Sequence, residues 1–293
     1  MSDQIPTFNY QKYSTGIDLL VQQMSRETRG AVMEEPMSGE RVFFDQVGAV
    51  AMQEKTGRAQ DIAVVNTPHA RRSCTATDFA IRDFVDSFDK LKILNDPTNA
   101  YSTVFAAAAA RKTDQIVINA ALGTAYTGKE GGTAVPLPSA QKIAASTTGF
   151  TLAKLQTAVQ RIKSANALMP GDSLHCFWTA KQELQFINTE EVKSFDFNNQ
   201  KVMVDGRLAY FYGVWFHRVE DDDASGEILP LESTTRSCVL WCKSGIKLGN
   251  WKAPYGSVDW LPEKQTWQVL AGMSAGATRM QEKKVIQIDV IES

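Results

Sequence analysis

The alternation of apolar and polar positions is clearest at the end of the chain. Ile286, Ile288 and Val290 share one face of an extended segment, with Gln287 and Asp289 on the other. A Gly-rich stretch at 274–277 reads as a turn before it, and the charged run 280–284 reads as a bend. A closing strand of this kind is expected to be tied down inside a sheet. Its three apolar side chains are expected to pack on an Ala-rich helix face.

Upstream, residues 1–15 have no period and read as an extended arm. Ile17, Leu20, Val21 and Met24 predict a short amphipathic helix over 16–29. Residues 41–47 and 61–65 read as two strands. The segment between them carries Gly48 and Gly57 and has little to bury, so 41–66 reads as a β-hairpin arm reaching away from the core. Pro68 ends the second strand. Thr77 is a candidate N-cap for a partly helical stretch over 77–94, where Phe79, Asp83, Asp86 and Lys90 fall three or four apart. The strongest helix spans 99–122, with alanine at every position from 106 to 110 and no Gly or Pro before Gly123.

Residues 123–138, rich in Gly and Pro, read as a loop and a domain boundary. Beyond it the pattern predicts a helix over 152–167, a buried strand over 173–179 and a helix over 180–188. A hairpin over 202–218 turns at Asp205-Gly206. An acidic loop follows at 220–226, then strands at 237–247 and 267–275. The fold class is α+β. Elements from both chain ends build one part, and the block 140–240 forms another.

The length of 293 residues is enough for two packed units. A net charge of −2 gives the whole molecule no strong pull on nucleic acid. The basic pairs Arg71–Arg72 and Lys283–Lys284 read as solvated surface. No apolar run is long enough to cross a membrane as a helix. The N-terminus lacks the pattern of a secretory signal. Cys74, Cys176, Cys238 and Cys242 have irregular spacing, which fits reduced thiols in a cytosolic setting better than a disulfide framework.

Candidate chemistry is thin. Gly123 to Lys129 matches the opening of a phosphate-cradling loop, but Glu130 stands where a Ser or Thr should meet Mg²⁺. A helix precedes it where a strand is required. His69, His175 and His217 read as isolated, without metal-ligand spacing. His175 and Cys176 are neighbours and would point to opposite faces of a strand. Cys238 and Cys242 read as small buried hydrophobes. The acids Glu220–Asp223 lack the alternating ligand spacing of a calcium loop. Tyr210, Phe211, Tyr212, Trp215 and Phe216 lack the interleaved cations of a base-stacking platform and read as strand core and packing surface. No catalytic, cofactor or metal site is expected.

Four phrases carry a family resemblance: Asn66-Thr-Pro-His-Ala-Arg-Arg72, Asn95-Asp-Pro-Thr-Asn-Ala100, Thr127-Gly-Lys-Glu-Gly-Gly132, and Gly276-Ala-Thr-Arg-Met-Gln-Glu-Lys-Lys284. With the order of arm, hairpin, Ala-rich helix, Gly loop, mixed block and closing strand, the chain resembles the major capsid proteins of tailed bacteriophages, of the Hong Kong 97-like fold. The resemblance implies an N-terminal arm (1–40), an extended hairpin loop (41–66), a peripheral domain (67–139 and 241–293) built on a spine helix (99–122), and an axial domain (140–240). It implies hexamers and pentamers closing into an icosahedral virion shell around double-stranded DNA, assembled in the host cytoplasm. The hairpin loop would lie over a neighbouring subunit, with Arg41, Phe43, Gln53, Lys55, Arg58, Arg71 and Arg72 at assembly contacts. The absence of a long coiled-coil extension implies a separate scaffolding protein. A portal is implied, and there is room for a decoration protein. No covalent crosslink is expected. Two alternatives stand beside this reading: a cellular nanocompartment shell of the same fold, and a soluble nucleotide-dependent enzyme using the loop at 123–130.

Overall fold

The computed structural model describes residues 22–55, 57–58, 64–86, 98–189, 203–204, 207–221 and 226–292. The predicted arm at 1–15 lies outside them. Helix α1, Thr98–Leu122, matches its prediction. Its alanines favour the helical backbone and let another element approach closely. The helix lies along the strand Thr266–Arg279, with the Thr113 hydroxyl 3.6 Å from Met273 Sδ.

That strand belongs to a four-stranded sheet in the order Met33–Pro36, Ile246–Leu261, Thr266–Arg279, Thr77–Asp86. Phe105 of α1 packs there against Val85, Val269 and Ala271. A larger central sheet runs Tyr210–Phe211, Val214–Arg218, Leu174–Trp178, Thr235–Cys242, Val285–Ile291, Lys142–Ile143, with Leu231–Glu232 beside Thr235–Cys242. It is buried on both faces. On one face Cys176, Cys238, Leu240, Ile286, Ile288 and Val290 meet helices α2 (Leu152–Ser164) and α3 (Ala180–Ile187). On the other, Phe177, Val239, Trp241 and Val285 meet Val117, Ile118 and Ala121 of α1. A third sheet joins Arg41–Val47, His69–Thr75, Ala125–Thr127 and Thr133–Val135.

Several expectations are corrected. Residues 22–29 of the predicted helix 16–29 are not helical, and 16–21 lie outside the described residues. The stretch read as helix over 77–94 is a strand where described, Thr77–Asp86. Phe79, Ile81 and Val85 alternate there, and pairing with Thr266–Arg279 overrides a mostly polar helical spacing. Residues 64–65 form no strand, and 61–63 lie outside the described residues. The arm returns instead through His69–Thr75, so Pro68 precedes the strand rather than ending one.

The Gly-rich stretch 274–277 is not a turn but lies inside the strand Thr266–Arg279. A Cβ on Gly276 would sit 2.3 Å from the Thr75 carbonyl oxygen, so glycine there admits the arm's return strand. A second long strand, Ile246–Leu261, extends well beyond the predicted end at 247. The single hairpin over 202–218 is two: Met203–Val204 with Arg207–Leu208, then Tyr210–Phe211 with Val214–Arg218. Tyr212 and Gly213, both with positive φ, form the second turn. Ile286, Ile288 and Val290 pack against α2 and not against the Ala-rich face of α1. The closing strand is interior to the central sheet, so only its Val285 side reaches α1.

Candidate assembly surface

The arm begins as a two-stranded ribbon in the register Arg41↔Thr75 through Val47↔His69. Alternation gives it two faces. One is fixed to the body. Gln46 Nε2 and Arg72 Nε donate to the Met280 carbonyl at 2.9 and 3.1 Å, and Arg72 Nη2 meets Glu282 Oε1 at 2.6 Å. Lys247 Nζ lies 4.5 Å over the Phe44 ring. The other face carries Arg41, Phe43, Asp45 and Arg71. Arg71 Nε donates to Asp45 at 2.6 Å and its guanidinium sits 5.3 Å over Phe43. The hydrogen bond from Arg71 holds the Asp45 carboxyl below its ordinary range.

Val47 at the end of the ribbon, and Val50, Met52, Val64 and Val65 beyond it, are exposed. The base of the arm is held in the four-stranded sheet with Ala125–Thr127 and Thr133–Val135, but the apolar side chains beyond it lie in solvent and suit a covering neighbour.

A buried polar hub holds the arm's base to three other elements. Arg279, fully buried, donates to the Ala121 carbonyl at 2.8 Å, the Gly123 carbonyl at 2.7 Å and the Val135 carbonyl at 2.9 Å. A cation thus caps the C-terminal end of α1. Glu282 sits between the guanidinium groups of Arg72 and Arg279, at 2.6 and 3.9 Å. About two turns earlier on α1, Asp114 accepts from the Glu27 and Thr28 backbone amides, the Thr28 hydroxyl and the Gln23 side-chain amide. Burial raises its carboxyl above the ordinary range, against the pull of these donors.

The structure places the sequence-predicted contact residues in three settings. Gln53, Lys55 and Arg58 are exposed on the distal loop. Arg41, Phe43 and Arg71 lie on the outward face of the ribbon, and Arg41 Nη1 also donates to the Glu130 carbonyl at 3.0 Å. Arg72 is buried inside the subunit and serves the hub. The two basic pairs read as solvated are split the same way, with Lys284 buried beside Ser244. Adjacent residues of a strand point oppositely, so Arg72 turns inward while Arg71 faces out; Lys283 and Lys284 lie in a short 3-10 turn, Glu282–Lys284, whose last residue is buried. Gln46, Arg279 and Glu282 were missed. The phrase Gly276–Lys284 contains two of them, but nothing in its pattern shows a partner in the arm.

The loop at 123–130 folds into a hairpin, Ala125–Thr127 with Thr133–Val135, so Lys129 sits in a turn between strands rather than before a helix. His175 and Cys176 do lie on opposite faces. The buried thiols are pushed up, Cys242 to about 12, and behave as hydrophobes. His175 and His217, read as isolated, are in contact: the parallel pairing of their strands brings Nδ1 and Nε2 within 3.0 Å. Among the described residues no helix is long and apolar enough to cross a membrane, and no group of three or more His, Cys, Asp or Glu could hold a metal ion.

By fold the molecule is a phage-capsid type of subunit. It is similar to a chain of Mycobacterium phage Che8 (TM-score 0.71, 13% identity, 96% of this chain and 97% of that chain). It is equally similar to the capsid of cyanophage P-SCSP1u (0.71, 14%, 97% and 94%) and that of Ralstonia phage GP4 (0.71, 12%, 100% and 98%). None of the curated proteins matches. The phage capsid protein family model matches residues 5–292, and the chain belongs to that family.

Proposed function

We propose that this chain is the major coat protein of a tailed phage, assembling as hexamers and pentamers into an icosahedral shell of Hong Kong 97-like subunits around double-stranded DNA. Family membership supplies the coat role. The observation that carries the assembly reading is the arm. Its base is fixed by Gln46 and Arg72, while Val47, Val50, Met52, Val64 and Val65 face solvent. The distal arm covers a neighbouring copy, with Arg41, Phe43, Gln53, Lys55, Arg58 and Arg71 at the contact. The hairpin loop, read as 41–66, extends through its return strand His69–Thr75, and the axial domain 140–240 takes the closing strand Val285–Ile291 into its sheet, leaving the rest of 67–139 and 241–293 as the peripheral domain. Assembly takes place in the host cytoplasm with a separate scaffolding protein and a portal.

Deleting residues 48–58 tests this reading. The segment buries little within its own subunit, so circular dichroism and melting temperature stay within about a degree or two of the parent. Particle formation with scaffold present, read by sedimentation, is lost. Unfolding of the deletion variant, or full-yield particles, would refute the role given to the arm.

A further inference from the structure

The His175–His217 pair belongs neither to the arm nor to the hub. It bridges two adjacent parallel strands of the central sheet, Leu174–Trp178 and Val214–Arg218. His175 Nδ1 lies 3.0 Å from His217 Nε2, and His175 Nε2 lies 2.8 Å from the Ser173 hydroxyl. The His217 ring stacks on Phe177, centroids 4.7 Å apart, and Phe177 stacks on Trp241 at 4.4 Å. On its other side, among the described residues, the strand carrying His217 pairs with the two-residue strand Tyr210–Phe211, and the Phe216 amide donates to the Ala209 carbonyl at 3.0 Å.

We infer that this pair is an acid-sensitive joint, closing the edge of the central sheet when both rings are neutral and releasing residues 210–218 when both are charged. The chemistry follows from the shared bond. Between two neutral imidazoles one ring donates N–H and the other accepts with a lone pair. A first added proton can still be shared across the contact. A second turns N–H against N–H and leaves two positive rings in a buried site, so the two groups titrate as a pair.

The surroundings favour the neutral state. Burial, then His217 and Lys243, press the His175 value down to about 4, with Asp172 opposing. Burial alone brings His217 to about 4. Of the other charged groups, Lys284 reaches this end of the sheet only through Ser244, which also bonds Asp172. An unfolded chain takes up two protons as pH falls through 6.5, whereas the folded pair does so only near 4. Stability is therefore lost between those values, and the folding constant falls on the order of a hundredfold or more.

The test uses the unassembled full-length subunit. The chain has only three histidines, so each imidazole can be followed by NMR from pH 7.5 to 4, with exposed His69 in the same spectrum. Hydrogen exchange reports the edge. We expect the His175 and His217 rings to stay neutral at pH 5.5, and amides of 210–218 to lose protection before the rest of the sheet as pH approaches 4. His217→Phe should flatten the pH dependence of urea unfolding between 6.5 and 4. Either ring titrating near 6.5 in the folded subunit would overturn the proposal, without any variant. So would an unchanged pH slope in His217→Phe, or loss of protection spread uniformly over the central sheet.

Discussion

Arg279→Met removes the guanidinium from the hub and keeps the apolar stem. Three carbonyls lose their donor: Ala121, fully buried, and Gly123 and Val135, partly buried. A buried acceptor left without a partner costs about 1–3 kcal/mol, and the two at the rim recover part of this by meeting water. The helix end also loses a cation, worth about 0.3–1 kcal/mol. Against these stands the relief of a desolvated cation, whose burial already lowers the Arg279 value. Glu282 keeps Arg72, so no lone buried carboxylate remains. The net penalty is about 2–4 kcal/mol, a sizeable part of the ~5–15 kcal/mol that holds a typical domain. Urea unfolding of the unassembled subunit, followed by circular dichroism, measures it. Arg279→Lys should lose less, since one ammonium can still reach one or two of the carbonyls. A penalty below about 1 kcal/mol for Arg279→Met would refute the claim that the hub joins α1, the arm and the 125–135 hairpin.

The closing strand gives a second prediction: Ile288→Ala, at a fully buried position, costs about 2–5 kcal/mol, and truncation after Lys284 gives insoluble chain; a soluble truncation with unchanged melting temperature contradicts it. Glu292 gives a third. Its carboxylate, near the end of the closing strand, is bonded by Arg236, Gln182 and Lys181 and held at about 2 against its burial. Its stabilisation is complete above the ordinary value of 4.5 and is lost as pH falls towards 2, so Glu292→Gln lowers the melting temperature at pH 7 but not near pH 2; a penalty independent of pH contradicts it. Lys129→Ala changes stability by less than about 0.5 kcal/mol, as expected of an exposed turn, and removes no phosphate chemistry; loss of a nucleotide-hydrolysing activity would contradict this.

Local signals located the elements whose stability is local. The alanine row gave α1, the apolar spacing gave α2 and α3, and the alternation at Ile286, Ile288 and Val290 gave the closing strand. Signals failed where pairing decides. The segment Thr77–Asp86 is a strand only because Thr266–Arg279 lies beside it. Gly276 looked like a turn because glycine also serves close backbone approach, and the Thr75 carbonyl that requires it is some two hundred residues away. Arg41, Phe43 and Arg71 were named through the resemblance, and the alternation of the ribbon puts them on its outward face. The hub of Gln46, Arg72, Arg279 and Glu282 was not legible, since a buried charge network is defined by partners far apart in sequence. The histidine pair was hidden for the same reason: it exists through a parallel register that no local pattern encodes.

The central claim is that this subunit completes itself by covering a neighbour with its arm. Cryo-electron microscopy of particles formed by the purified chain with its scaffold tests that most directly. The account predicts closed icosahedral shells in which Val50 and Met52 of each arm are buried against an adjacent copy. Shells in which those side chains remain in solvent, or a chain that stays monomeric under all assembly conditions, would contradict it.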